Sequence, residues 1–235
     1  PKVFELLSSG NTLGVFQLES AGMRVFMKQL KPDNFEDIVA GISLYRPGPM
    51  DSIPTYIENK TNPQNVTYLH EKLKPIMEVT YGCLVYQEQV MQVVRELGGY
   101  TYGRSDLVRR AMGKKKMDVM EEERRYFVYG KEDENGNIEI AGCIRNGVPE
   151  DIANQIFDDM IDFAKYAFNK SHAAAYGVLS YQTAYLKAYY PVEFMAALMT
   201  SVLDQSNKIA RYTAECKRLG IRLAPADINT SMQGF

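Results

Sequence analysis

Residues 104–116, RSDLVRRAMGKKK, set six cations beside one acid in a chain whose formal net charge is only −2. A cationic block that dense suits a polyanion. The spacing predicts a short helix capped by Ser105 and ended by Gly113, with Leu107, Val108, Ala111 and Met112 as its apolar stripe. Arg109 and Arg110 then lie on the face away from the stripe, and Lys114, Lys115 and Lys116 follow the helix end. A second reading fits the same letters. Asp106 precedes the arginines by three and four residues, a spacing that laces a solvated helix face with weak ion pairs and needs no ligand.

A second constellation lies at 165–176, KYAFNKSHAAAY, between two helical patterns. A helix opened there by Ser171 or His172, behind Lys170, presents backbone N–H groups next to a cation, which suits a phosphate. His172 could donate to a phosphate oxygen or protonate a leaving group, because histidine changes charge near neutral pH. Ordinary structure accounts for these residues too, with Ser171 and His172 as caps and Phe168 and Tyr176 as core. Tyr181, Tyr185 and Tyr189 recur every four residues, as a packed helix face with hydroxyls at its rim would require; a base-stacking ladder is the alternative.

The elements that must position these residues are mostly helices. Asp33 with Glu36 resembles a capping box for 34–44, and 85–97 carries Val90, Val93, Val94 and Leu97 before a Gly98-Gly99 stop. Pro149 suits the first turn of a helix reaching about Lys165, with Ile152, Ile156, Met160 and Phe163 on one side. Further helices are expected from 171 or 172 to Tyr189, from Pro191, and over 206–220. Strand signals are confined to a hairpin around Asn135-Gly136, between Tyr129 and Ile140, and an extended piece at 221–224. The fold class is mainly α.

With 46% hydrophobic and 24% charged residues the chain has ordinary globular composition, and it holds no apolar run long enough to span a membrane. Cys83, Cys143 and Cys216 form neither a disulfide framework nor a CxxC pair, which points to a reducing, cytoplasmic setting. The charge is segregated: residues 121–159 hold eleven acids against four bases. Asp158, Asp159 and Asp162 are spread around a predicted helix, so no metal site is expected from them. The chain begins with Pro1 and reads as a piece of a longer polypeptide.

GVFQLESAGM at 14–23, RPGPM at 46–50, VYQEQVM at 85–91, RRAMGKKK at 109–116, YAFNKSHAAAY at 166–176 and YQTAYLKAYYPVEFMAA at 181–197 together resemble one family. It is that of the bacterial DNA polymerase III alpha subunits, the C-family replicative polymerases. The blocks occur in family order and cover nearly the whole chain; the part matched is the fingers domain.

The resemblance implies a multi-helix fingers domain over 1–225, with sub-parts of about 1–80, 81–190 and 191–225, and the start of a linker at 226–235. It implies that Arg109 and Arg110 contact the triphosphate of an incoming dNTP, with Lys114 nearby. Asn169, Lys170 and His172 would reach the outer phosphates, and Tyr166 would stack near the nascent base pair; the titration range and place of His172 add the expectation that it is the general acid for pyrophosphate. Arg46, Lys115 and Lys116 would contact template-primer DNA or the palm. Mg2+ is expected in the full enzyme, held by carboxylates outside this chain, so the chain alone should not polymerise. The sliding clamp and other replisome subunits are the implied partners. Two other classes fit the basic block: a helical nucleic-acid-binding module, and a non-catalytic interaction scaffold whose block docks the acidic 121–159 segment or an acidic partner.

Overall fold

Local apolar periodicity fixes most of the architecture of this computed structural model, which describes residues 1–114, 117–164, 166–229, 231 and 233–235. The roles expected of Lys115 and Lys116 fall outside the described residues. Helices α1 (Lys2–Ser8), α2 (Ala21–Leu30), α3 (Phe35–Leu44), α4 (Ile53–Thr61) and the short α5 (Lys74–Met77) come first. After them run α6 (Gln87–Gly98), α7 (Tyr102–Gly113) and α8 (Met117–Tyr129), then the hairpin strands β1 (Lys131–Glu132) and β2 (Ile138–Ile140). Helices α9 (Glu150–Ala164), α10 (Lys170–Tyr189), α11 (Pro191–Thr200) and α12 (Ser206–Arg218) complete the described elements. The fold is mainly α, with the hairpin where Asn135-Gly136 places it: Gly136 takes a φ of +79°, and Asp133 accepts from the Asn135 and Asn137 amides. Residues 221–224 form no strand. No helix among the described residues is long and apolar enough to cross a membrane.

The chain divides into two compact units, one made of Pro1–Ile42 with Ala174–Phe235 and the other of Ser43–Ala173. Their boundaries fall at 42/43 and 173/174. The second unit has a core of Val90, Val93, Val94 and Leu97 from α6, joined by Val108 and Met112 of α7, Phe127 of α8 and Phe157 of α9. In the first unit, buried Lys187 on α10 donates to the carbonyls of Asn11 and Leu13 at 2.8 and 2.6 Å and to Glu215 of α12 at 2.7 Å. Arg218 closes on the same carboxylate at 2.7 and 2.8 Å, so the buried charges are paired and saturated.

Four local expectations are corrected. Helix α7 starts earlier, with Thr101 accepting from the Arg104 amide at 3.3 Å. Ser105 is therefore inside the helix and buried, donating to the Tyr102 carbonyl, while Leu107 is 58% exposed. A small Ser105 one turn before Val108 lets the helix seat its 105, 108 and 112 face, which rotates Leu107 outward. Helix α3 is capped by Asn34, which accepts from the Asp37 amide while Asp37 accepts from the Asp33 amide. Helix α10 opens at Lys170 under Asn169, whose Oδ1 accepts from the His172 amide at 2.8 Å. Its buried face is Ala173, Gly177, Ser180, Ala184 and Lys187 and not the tyrosines. Tyr185 and Tyr189 are exposed and stack on each other at 4.5 Å, because small residues bring the opposite face of the helix close to its neighbours.

Candidate functional site

Buried Gln89 fixes the turn that opens α6. Its Oε1 accepts from the Val85 and Tyr86 amides, both at 2.9 Å, and its Nε2 donates to the Thr80 hydroxyl at 2.7 Å. With the turn held, Tyr86 forms a parallel bridge to Phe168, and the Gln87 amide donates to the Phe168 carbonyl at 2.9 Å. The next carbonyl back, Ala167, accepts from Gln87 Nε2 at 3.2 Å. Glu88 then caps α10: its carboxylate accepts from the Lys170 amide at 3.0 and 3.2 Å and from Asn169 Nδ2 at 3.0 Å. The helix start expected to hold a phosphate thus holds an anion of its own chain, where unsatisfied amides and the helix dipole favour one. Lys170 lays its ammonium over the Tyr86 ring at 5.2 Å. His172 is exposed in the first turn, with its ring edge-on to Phe168 at 5.4 Å.

The basic helix meets the same turn of α6. Arg109 holds Asp106 through Nε and Nη2 at 2.9 and 2.7 Å and turns Nη1 to Gln87 Oε1 at 2.9 Å. These bonds engage three of the five guanidinium N–H groups. Arg110, exposed, reaches the other oxygen of Asp106 at 2.7 Å. Bonding to Arg109, then the nearby charge of Arg110, keeps the Asp106 carboxyl below the usual carboxylate range. The ion pairs of the ligand-free reading are therefore formed, yet one acid shared by two arginines leaves the face positive, and exposed Lys114 adds to it. Arg104 behaves differently. It pairs with Glu123 of α8 at 2.6 Å and with Glu139 of β2 at 3.7 Å, which ties it to the acidic segment.

Arg46 closes the other side of the 166–168 loop. Its Nη2 donates to the Tyr166 carbonyl at 2.5 Å, its Nε donates to the Ser43 carbonyl at 2.9 Å, and its guanidinium lies 4.2 Å from the Phe168 ring centre. The carbonyls of three successive residues, 166, 167 and 168, are each taken by a donor from Arg46 or Gln87. Tyr166 is 48% exposed and rests against Gly48, at the rim of a cavity of about 600 Å³ that Leu44, Asp51, Leu84, Asp159 and Phe163 also line.

Unit Ser43–Ala173 therefore carries Arg46, Arg109, Arg110, Tyr166, Asn169, Lys170 and His172, and all of these but Arg110 belong to, or touch, the first turn of α6 or the loop it holds. Gln87, Glu88 and Gly48 organise this set without having been singled out by type or spacing. The one local signal was a polar Gln87-Glu88 pair opening an apolar helix, whose partners lie 22 and about 80 residues away. The acidic residues of α9 are engaged otherwise: Asp158 pairs with Arg124, while burial, with Asp158 and Asp162 nearby, raises the Asp159 carboxyl. Among the described residues no group of three or more His, Cys, Asp and Glu is arranged to hold a metal ion.

Comparison with known proteins agrees with the motifs. Residues 1–135 match the family model described as the bacterial DNA polymerase III alpha subunit finger domain. DNA polymerase III subunit alpha of Thermus aquaticus is 51% identical over 236 residues, covering 98% of this chain and 18% of that protein. The subunits of Pasteurella multocida and Bacillus subtilis are 49% and 47% identical over 242 and 234 residues, each covering all of this chain and 20% of their own length. The chain thus spans about a fifth of the relatives it matches. By its motifs, its helical architecture and these matches, the chain belongs to the finger domains of bacterial DNA polymerase III alpha subunits.

Proposed function

We propose that this chain binds the triphosphate of an incoming dNTP over template-primer DNA, as the fingers of a DNA-directed DNA polymerase. One observation carries the reading: the positive face of α7 and the anion-holding start of α10 are both anchored on Gln87-Glu88. Nucleotidyl transfer requires the charge on the transferring phosphates to be met by preorganised donors. Arg109 and Arg110, with Lys114 beyond them, supply cations; Asn169, Lys170 and His172 supply donors at the helix start, and His172 is the candidate proton donor to the departing pyrophosphate. Tyr166, exposed beside them, offers a ring to the nascent base pair.

On this reading the catalytic carboxylates and their Mg2+ belong to parts of the subunit beyond this chain. Template-primer DNA, the sliding clamp and other replisome subunits are partners of the whole subunit on the same reading.

The test is single-turnover incorporation by the full-length subunit. Arg109→Ala should weaken apparent dNTP binding about tenfold or more, as expected for a lost charge-assisted hydrogen bond, with primer-template affinity little changed. His172→Gln should lower the rate at saturating dNTP more than it weakens dNTP binding. Weakened DNA binding with unaltered dNTP dependence would instead identify a nucleic-acid-binding module, and indifference to both ligands a scaffold.

A further inference from the structure

Gln87 opens a helix that does not need it. Gln89 already fixes the turn before α6 by accepting from the Val85 and Tyr86 amides, and the bonds of the Gln87 side chain lie outside its own helix. It spans two elements instead, accepting from Arg109 on α7 and donating to Ala167 in the loop before α10. Its amide group suits this position: the oxygen accepts from a guanidinium while the NH2 donates to a carbonyl, and the group carries no charge. A glutamate would face the Ala167 carbonyl with a second acceptor, and a lysine would face Arg109 with a second cation.

We infer that Gln87 is a positioning residue for the triphosphate site, holding the Arg109 guanidinium in register with the 166–170 segment so that both meet one ligand. The inference rests on the triphosphate reading above and adds a residue and a coupling to it. Asp106 fixes the Arg109 guanidinium from its own helix but does not tie it to the second element; Gln87 supplies that tie. A ligand that must contact Arg109 and the α10 start together is sensitive to their spacing, because small misplacements of binding groups weaken multidentate contacts.

A double-mutant cycle in the full-length subunit tests this. Gln87→Met should raise the dNTP KM about threefold to tenfold, the range for loss of one neutral hydrogen bond, with kcat and primer-template affinity little changed. Combined with Arg109→Ala it should add little, because the bridge acts through Arg109. Gln87→Glu retains the acceptor for Arg109 but cannot donate to Ala167 and is the second variant should Gln87→Met fold poorly; having lost the tie, it should raise the dNTP KM at least as much as Gln87→Met, and an unchanged KM in it overturns the inference. Multiplying effects of Gln87→Met and Arg109→Ala, or an unchanged KM in Gln87→Met, overturn the inference while leaving the triphosphate reading intact. An unchanged KM in Arg109→Ala overturns that reading and the inference together.

Discussion

Gly48 takes a φ of +101°, in the region that side chains disfavour, and a Cβ there would be driven into the ring of Tyr166. Both constraints act at one atom, so Gly48→Ala must shift the backbone of the 46–50 turn or the Tyr166 ring. Strain of this kind costs about 1–3 kcal/mol. The loop that would yield is the one Arg46 grips at the Tyr166 carbonyl, and its Phe168 amide donates to Val85 at 3.5 Å. Hydrogen exchange at the Tyr166 and Phe168 amides of Gly48→Ala should therefore quicken about fivefold or more; protection equal to the parent's would mean the turn absorbs the methyl elsewhere. RPGPM is legible in the sequence as a braced turn. That its glycine exists for a tyrosine 118 residues away is not, because a positive φ and a close approach both depend on tertiary structure.

At the scale of elements, the helices were legible and their first turns were not. Apolar spacing places α6, α9, α11 and α12 within a few residues, since burial of a stripe is a periodic, local signal. Caps are decided by competition among nearby Ser, Thr and Asn residues, and the deciding partner is often remote. Thr101 displaces Ser105 because the buried face of α7 wants a small residue at 105, and Asn169 displaces Ser171 because Glu88, 81 residues earlier, holds its amide. The same cap makes a prediction for α10. Glu88→Gln removes a carboxylate from the helix start and should weaken the cap by about 1 kcal/mol, seen as exchange at the Lys170 and His172 amides about fivefold faster. A ligand phosphate at the Lys170 amide competes with Glu88, so on the triphosphate reading the same variant should lower the dNTP KM. A KM that rises would show that phosphate does not use this helix start and that Glu88 serves the site only as a cap.

At the scale of the molecule, one unit is assembled from both ends of the sequence, with Ser43–Ala173 inserted between its parts. Periodicity says nothing about such a division, since it marks elements and not their partners. Beside an apolar core of Leu13, Met195, Met199 and Tyr212, a polar cluster joins the parts of the first unit: Lys187 and Glu215 meet with the carbonyls of Asn11 and Leu13, across sequence separations of up to 176 residues. Burial by itself would raise the Glu215 carboxyl, but bonds from Arg218 and Lys187 outweigh it and hold the group at about 2 against an ordinary 4.5. A depressed carboxyl binds its proton less readily folded than unfolded, so its stabilisation is complete above pH 4.5 and is lost as pH falls toward 2. Urea unfolding of this chain can be followed by tyrosine fluorescence, since it has 16 Tyr and no Trp. Glu215→Gln should lose about 3 kcal/mol at pH 7, the cost of leaving Lys187 buried beside a neutral amide. Its midpoint should also fall less steeply than the parent's between pH 4.5 and 2. Parallel pH profiles for the two proteins would place the acid sensitivity in other carboxylates and leave the buried pair with a packing role alone.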